Sequence, residues 1–130
     1  MCIRDRYEAL LYLRNLNSDA DARAVFVDAL DHELWFLRQY AIQNFAFSNW
    51  KTDAALLAKL QQMAKTDPKS SVRAAAISKL GEADAAAHAA VFEQAAQTDS
   101  SFAVASAALR QLSSSQPAKA LALAAGFEGY

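Results

Sequence analysis

His32 and Glu33 open a stretch that starts as the zinc-peptidase motif His-Glu-x-x-His starts, but its fifth residue is Phe36. That motif needs two imidazoles one helical turn apart to share a metal, with the glutamate as base. Lacking the second histidine, His32 and Glu33 read as an exposed turn at a helix start. His88 lies in an alanine run, and its neighbours three and four residues away are Asp84, Ala85, Val91 and Phe92. One carboxylate in reach makes no metal site, so His88 reads as a surface or half-buried histidine.

Nucleophilic catalysis needs a serine or cysteine activated by a nearby base. The serines gather at Ser70 and Ser71, at Ser100 and Ser101, and at Ser113 to Ser115, where turns and helix caps account for them. The single cysteine, Cys2, excludes an internal disulfide and a multi-thiolate zinc site. Asp19 with Asp21 and Asp28 with Asp31 lie near expected helix ends, where capping and solvation explain them. Three glycines cannot build a phosphate loop or a dinucleotide fingerprint. The expected cofactor set is therefore none.

The elements that would position such groups are helical. Of 130 residues, 31 are alanine, the strongest helix former and a poor strand former. With 13 basic and 14 acidic side chains the net charge is −1, which argues against a nucleic-acid or anionic-membrane partner. No apolar run reaches the roughly 18 residues of a membrane span, and an apolar content of 54 % is ample for a core.

The chain also repeats. Val72, Arg73, Ala76, Ile77 and Leu80 recur 32 residues on as Val104, Ala105, Ala108, Leu109 and Leu112. They recur 35 residues back as Leu37, Arg38, Ala41, Ile42 and Phe45, and 32 further back around Arg6, Ala9, Leu10 and Leu13. Apolar positions three and four apart share one helix face. An aspartate-containing turn precedes the full copies, at Asp31, Asp67 and Asp99, and Pro68 closes the helix before it. A second helix type lies ahead of each turn: Phe26 and Leu30 match Leu60 and Ala64, then Phe92 and Ala96.

The expected fold is therefore all-α, an α-solenoid of stacked antiparallel helix pairs of about 32–36 residues each. Helices are expected near 6–16, 20–30, 34–47, 53–66, 69–80, 84–97, 101–113 and 117–126. The unit resembles HEAT repeats, whose hallmark is an aspartate before the second helix and an arginine early in it. The resemblance implies a structural ladder between neighbouring repeats through Arg38, Arg73 and Asp67, broken where the last copy has Ala105. Residues 1–5 resemble a non-native scar, which leaves 6–130 as a single repeat domain. The first and last helices lack partners of their own type and carry wide apolar faces, so truncation at both ends and self-association through the end helices are expected. Seven of the 13 aromatic residues fall between Phe26 and Trp50. Trp35, Phe36 and Trp50 lie off the repeat register and are the candidate interface.

The order of the turn signatures carries a more specific resemblance. Arg6 to Leu13, then Asp31, Trp35, Arg38, Ala41 and Ile42, then Asp67 to Ile77, then Asp99 to Leu109, then Pro117 to Leu121 look like the C-terminal helical region of bacterial gluzincin zinc aminopeptidases, the aminopeptidase N family. In that family the zinc motif and the Gly-x-Met-Glu-Asn loop lie in an upstream catalytic domain, so no catalytic or metal residue carries over to this chain, and zinc would belong to the parent enzyme. The resemblance implies a non-catalytic wall that packs on the catalytic domain and shapes substrate access. The alternative is a stand-alone HEAT scaffold that takes a protein or peptide on its concave face. A weaker likeness runs to alanine-rich HEAT lyases of pigment-protein maturation. Nothing in the sequence addresses the compartment.

Overall fold

Helical order follows from the alanine-rich composition, and punctuation comes from aspartate and proline. The structure, a computed structural model, describes residues 26–44 and 50–125. After a helical segment over 26–29 come α1 (Trp35–Asn44), a short 3-10 helix (Trp50–Thr52), α2 (Ala54–Thr66), α3 (Ser70–Asp84), α4 (Ala89–Thr98), α5 (Phe102–Ser115) and α6 (Pro117–Ala125). No strand occurs among the described residues. The expected helices over 6–16, most of 20–30, and the scar at 1–5 lie outside them, as do Phe45 and Arg6.

Asp53 caps α2, its carboxylate accepting from the Leu56 N–H at 3.1 Å. Asp67 and Asp99 each end one helix in extended backbone, at ψ 133° in both. Pro68 favours that conformation at Asp67; Asp99 adopts it with no proline after it. Pro117 occupies the first position of α6, where a missing N–H costs nothing.

One boundary differs from expectation. The helix expected from 84 begins at Ala89, and α3 runs on to Asp84. The Asp84 carboxylate accepts from the Ala86 and Ala87 N–H groups, both at 3.1 Å, which turns the chain over 85–88. Gly81 lies inside α3 with the end of the Gln111 side chain of α5 folded over it.

The helices form two rows. α1, α3 and α5 lie side by side; α2 packs on α3, α4 on α5, α2 touches α4, and α6 closes on α5. The repeated positions are the core. Leu37, Ala41 and Ile42, then Val72, Ala76, Ile77 and Leu80, then Val104, Ala108 and Leu112 are all buried, with Leu109 half-buried. From the other row come Phe26, Leu30, Leu60, Ala64, Phe92 and Ala96. The fully buried alanines at 41, 76 and 108 let neighbouring helices approach closely.

Candidate functional site

Two ion pairs of the same construction cross from one helix pair to the next. Arg38, in the first turn of α1, meets Asp67 in the α2–α3 turn through Nε to Oδ2 at 2.9 Å and Nη2 to Oδ1 at 3.0 Å. Its Nη1 donates to the carbonyls of His32 at 2.8 Å and Glu33 at 3.1 Å. Arg73, in the first turn of α3, meets Asp99 through Nε to Oδ2 at 2.9 Å and Nη2 to Oδ1 at 3.1 Å, and its Nη1 donates to the Asp67 carbonyl at 2.8 Å. All four side chains are largely buried. Bidentate pairing of this kind is both strong and directional. Each aspartate also accepts the N–H two residues on, Lys69 at 2.9 Å and Ser101 at 2.8 Å. The serine or lysine at the head of each helix makes no side-chain cap; the aspartates organise the turns instead.

The first turn departs from the sequence reading. Arg73 sits six residues after Asp67, and six residues before Arg38 is His32, not Asp31. Both arginines donate Nη1 to the carbonyl at that position. The His32 Nδ1 accepts from the Leu34 N–H at 3.0 Å, the bond that the aspartates make two residues on. His32 is half-buried rather than exposed. Asp31 points outward to an ion pair with Lys59 of α2. Counting six back from each arginine would have found the substitution. At the equivalent position in α5, Ala105 is fully buried and supplies no guanidinium.

The candidate aromatic interface divides in two. Trp35 and Phe36 stand 42 % and 40 % exposed at the head of α1, edge to face at 6.1 Å, with the Lys69 ammonium 4.5 Å over the indole. Trp50 does not join them. It is 6 % exposed, because the 3-10 helix that carries it packs on α2 and α3 and turns the indole into the core. The Lys79 ammonium lies 4.6 Å over that indole and 3.6 Å from Glu82.

Lys79 is itself 6 % exposed. Burial pushes its ammonium below the ordinary value of 10.5; the Glu82 carboxylate opposes the shift and the Lys51 charge adds to it. A lysine depressed in the folded state contributes most above 10.5, and that contribution is lost as pH falls through its folded value. The stability of the native chain relative to a Lys79→Met variant should therefore rise from neutral pH toward 10.5. Urea denaturation of the two proteins across that range checks it; a flat difference would refute it.

His88 is buried, not at the surface. The 85–88 turn folds it onto α2, where its Nδ1 lies 2.9 Å from the Gln61 amide. No group of three His, Cys, Asp or Glu side chains gathers to hold a metal among the described residues. No helix among them is long and apolar enough to cross a membrane.

The row α1, α3, α5 carries a cleft of about 500 Å³. Gln39 and Gln43 form one wall, Ser71, Ala75 and Ser78 the floor, and Arg110 the far side. A second hollow of about 280 Å³ adjoins it, sharing Gln39 and Gln43 and bounded by Trp35 and Phe36. Comparison with protein-family models, with curated proteins and with solved structures finds no match to this chain.

Proposed function

We propose that this chain is a non-catalytic helical-repeat element, its helix pairs stacked as an α-solenoid of HEAT-like units, that serves as a support surface for another protein domain. The observation that carries this reading is the repetition of one bonding pattern, Arg38 with Asp67 and Arg73 with Asp99, at the same register on successive helix pairs. A bidentate pair crossing each junction sets the relative position of neighbours, which is what a stacked array requires. The order of its turns supports a place in the C-terminal helical region of a zinc aminopeptidase, where the partner would be the catalytic domain and the metal would be held there.

The test has two arms. Extending the reading frame upstream should disclose His-Glu-x-x-His, and the chain by itself should neither turn over aminoacyl anilides nor take up stoichiometric zinc. Turnover that resists added chelator would overturn the non-catalytic reading. An upstream frame holding only further helical repeats would instead favour the stand-alone scaffold, for which the cleft over α1, α3 and α5 is the specific support. Leu121 stands largely exposed on α6, so self-association through that helix belongs to either reading.

A further inference from the structure

The turns that lead into α1, α3 and α5 share one bond and differ in the atom that accepts it. Before α3 the Asp67 Oδ1 takes the Lys69 N–H at 2.9 Å, and before α5 the Asp99 Oδ1 takes the Ser101 N–H at 2.8 Å. Before α1 the His32 Nδ1 takes the Leu34 N–H at 3.0 Å. The two kinds of acceptor answer acid differently. Carboxylates as a class titrate near about pH 4, whereas imidazole is the side chain that gains a proton between about pH 5 and 8. An imidazole nitrogen accepts only while it carries no proton.

The residue fixed by the His32 bond starts the helix. The Leu34 carbonyl accepts from the Leu37 N–H at 3.2 Å and the Arg38 N–H at 3.3 Å, and Trp35 and Phe36 follow it directly, both exposed. With a proton on Nδ1, two N–H groups face each other and Leu34 loses its acceptor. The new cation also stands at the N-terminal end of α1, where the helix dipole disfavours it. The Arg38 guanidinium is already on the His32 carbonyl. Asp31, Glu33, Arg38, Lys59 and Asp67 line one hollow with His32. Arg38 is held by Asp67, and Lys59 by Asp31. Glu33 is exposed and has no ion-pair partner among the described residues, so its carboxylate is free to draw an imidazolium out of the turn.

We propose that His32 makes the head of α1 a pH-operated joint. Acidification toward about pH 5 releases the Leu34 N–H, and with it the fixed placing of Trp35 and Phe36, while the turns built on Asp67 and Asp99 stay closed. The inference rests on these turns and on no particular parent enzyme, so it can fail while the support reading stands.

The test follows solvent exchange of three amides, Leu34, Lys69 and Ser101, by nuclear magnetic resonance at pH 8 and pH 5, each corrected for the exchange of a free amide at that pH. Protection at Leu34 should fall by about fivefold, the worth of one hydrogen bond, with the midpoint of the His32 ring titration. Lys69 and Ser101 should hold theirs, which also shows that the fold is intact. The Trp35 indole signal should move with Leu34 and the Trp50 indole should not. His32→Asp gives the first turn the acceptor of the other two and should remove the acid response; His88 remains in that variant, so any effect it carries would survive. His32→Leu should show at pH 8 the weak Leu34 protection of the native chain at pH 5. Leu34 protection unchanged through the His32 titration would overturn the proposal. So would equal losses at all three amides, or an acid response that persists in His32→Asp.

Discussion

Asp67→Ala should cost about 3–5 kcal/mol of unfolding free energy, the range seen when one member of a buried ion pair is removed. The loss has two parts. Arg38 keeps its bonds to the His32 and Glu33 carbonyls but loses both contacts to a carboxylate, in a setting where its charge is mostly out of water. The α2–α3 turn also loses the acceptor for the Lys69 N–H. Asp67→Asn should be milder, since an amide oxygen can still accept that N–H while the charge is gone. The double variant Arg38→Met with Asp67→Ala should recover much of the loss, because no unpaired charge then remains buried. Urea titration of the native chain, Arg38→Met, Asp67→Ala and the double variant forms the cycle. Equal stability of Asp67→Ala and the native chain would mean that the pair is solvated in solution and adds nothing at the junction.

Phe92→Ala is the second large effect, also about 3–5 kcal/mol, from lost transfer energy and the cavity left behind. Phe92 is fully buried in α4 and is among the largest side chains of the core. It occupies the place that Leu60 holds in α2 and Phe26 in the helical segment before α1. For a chain of this size each kcal/mol moves the melting point by roughly 4 °C. Thermal melts by circular dichroism should therefore separate Phe92→Ala clearly from Phe92→Leu. A shift no larger than that of an exposed alanine substitution would place Phe92 outside the core.

The helical rows were legible because burial selects the same small set of positions in each copy. Val72, Ala76, Ile77 and Leu80 share a face by spacing alone, and their described matches Leu37, Ala41 and Ile42 in α1 and Val104, Ala108 and Leu112 in α5 are buried, with Leu109 half-buried. What was not legible depends on contacts between elements. Nothing in the alanine run after Asp84 signals a break; the turn there is closed by the Asp84 carboxylate, a choice made once α4 folds back with His88 against Gln61. Trp50 lies outside the helical period, so its burial follows from where the 3-10 helix lands. Lys79 falls on a face of α3 that a charged residue would ordinarily keep open; the indole of Trp50 covers it. His32 read as an exposed turn residue because the position is defined by what its atoms accept, and an imidazole nitrogen and a carboxylate oxygen do the same work there.

Asp67 takes one arginine on its carboxylate and the next on its carbonyl. Loosening either neighbour therefore withdraws a bond from the residue on which the other depends, and the stretch from α1 to α4 is clasped like links of a chain. Beyond α4 the clasp stops, since Ala105 has no hand to extend. Separation would accordingly start at the last helices, which are joined by apolar contact and the partly exposed Lys119–Glu93 ion pair, and it would travel inward one link at a time.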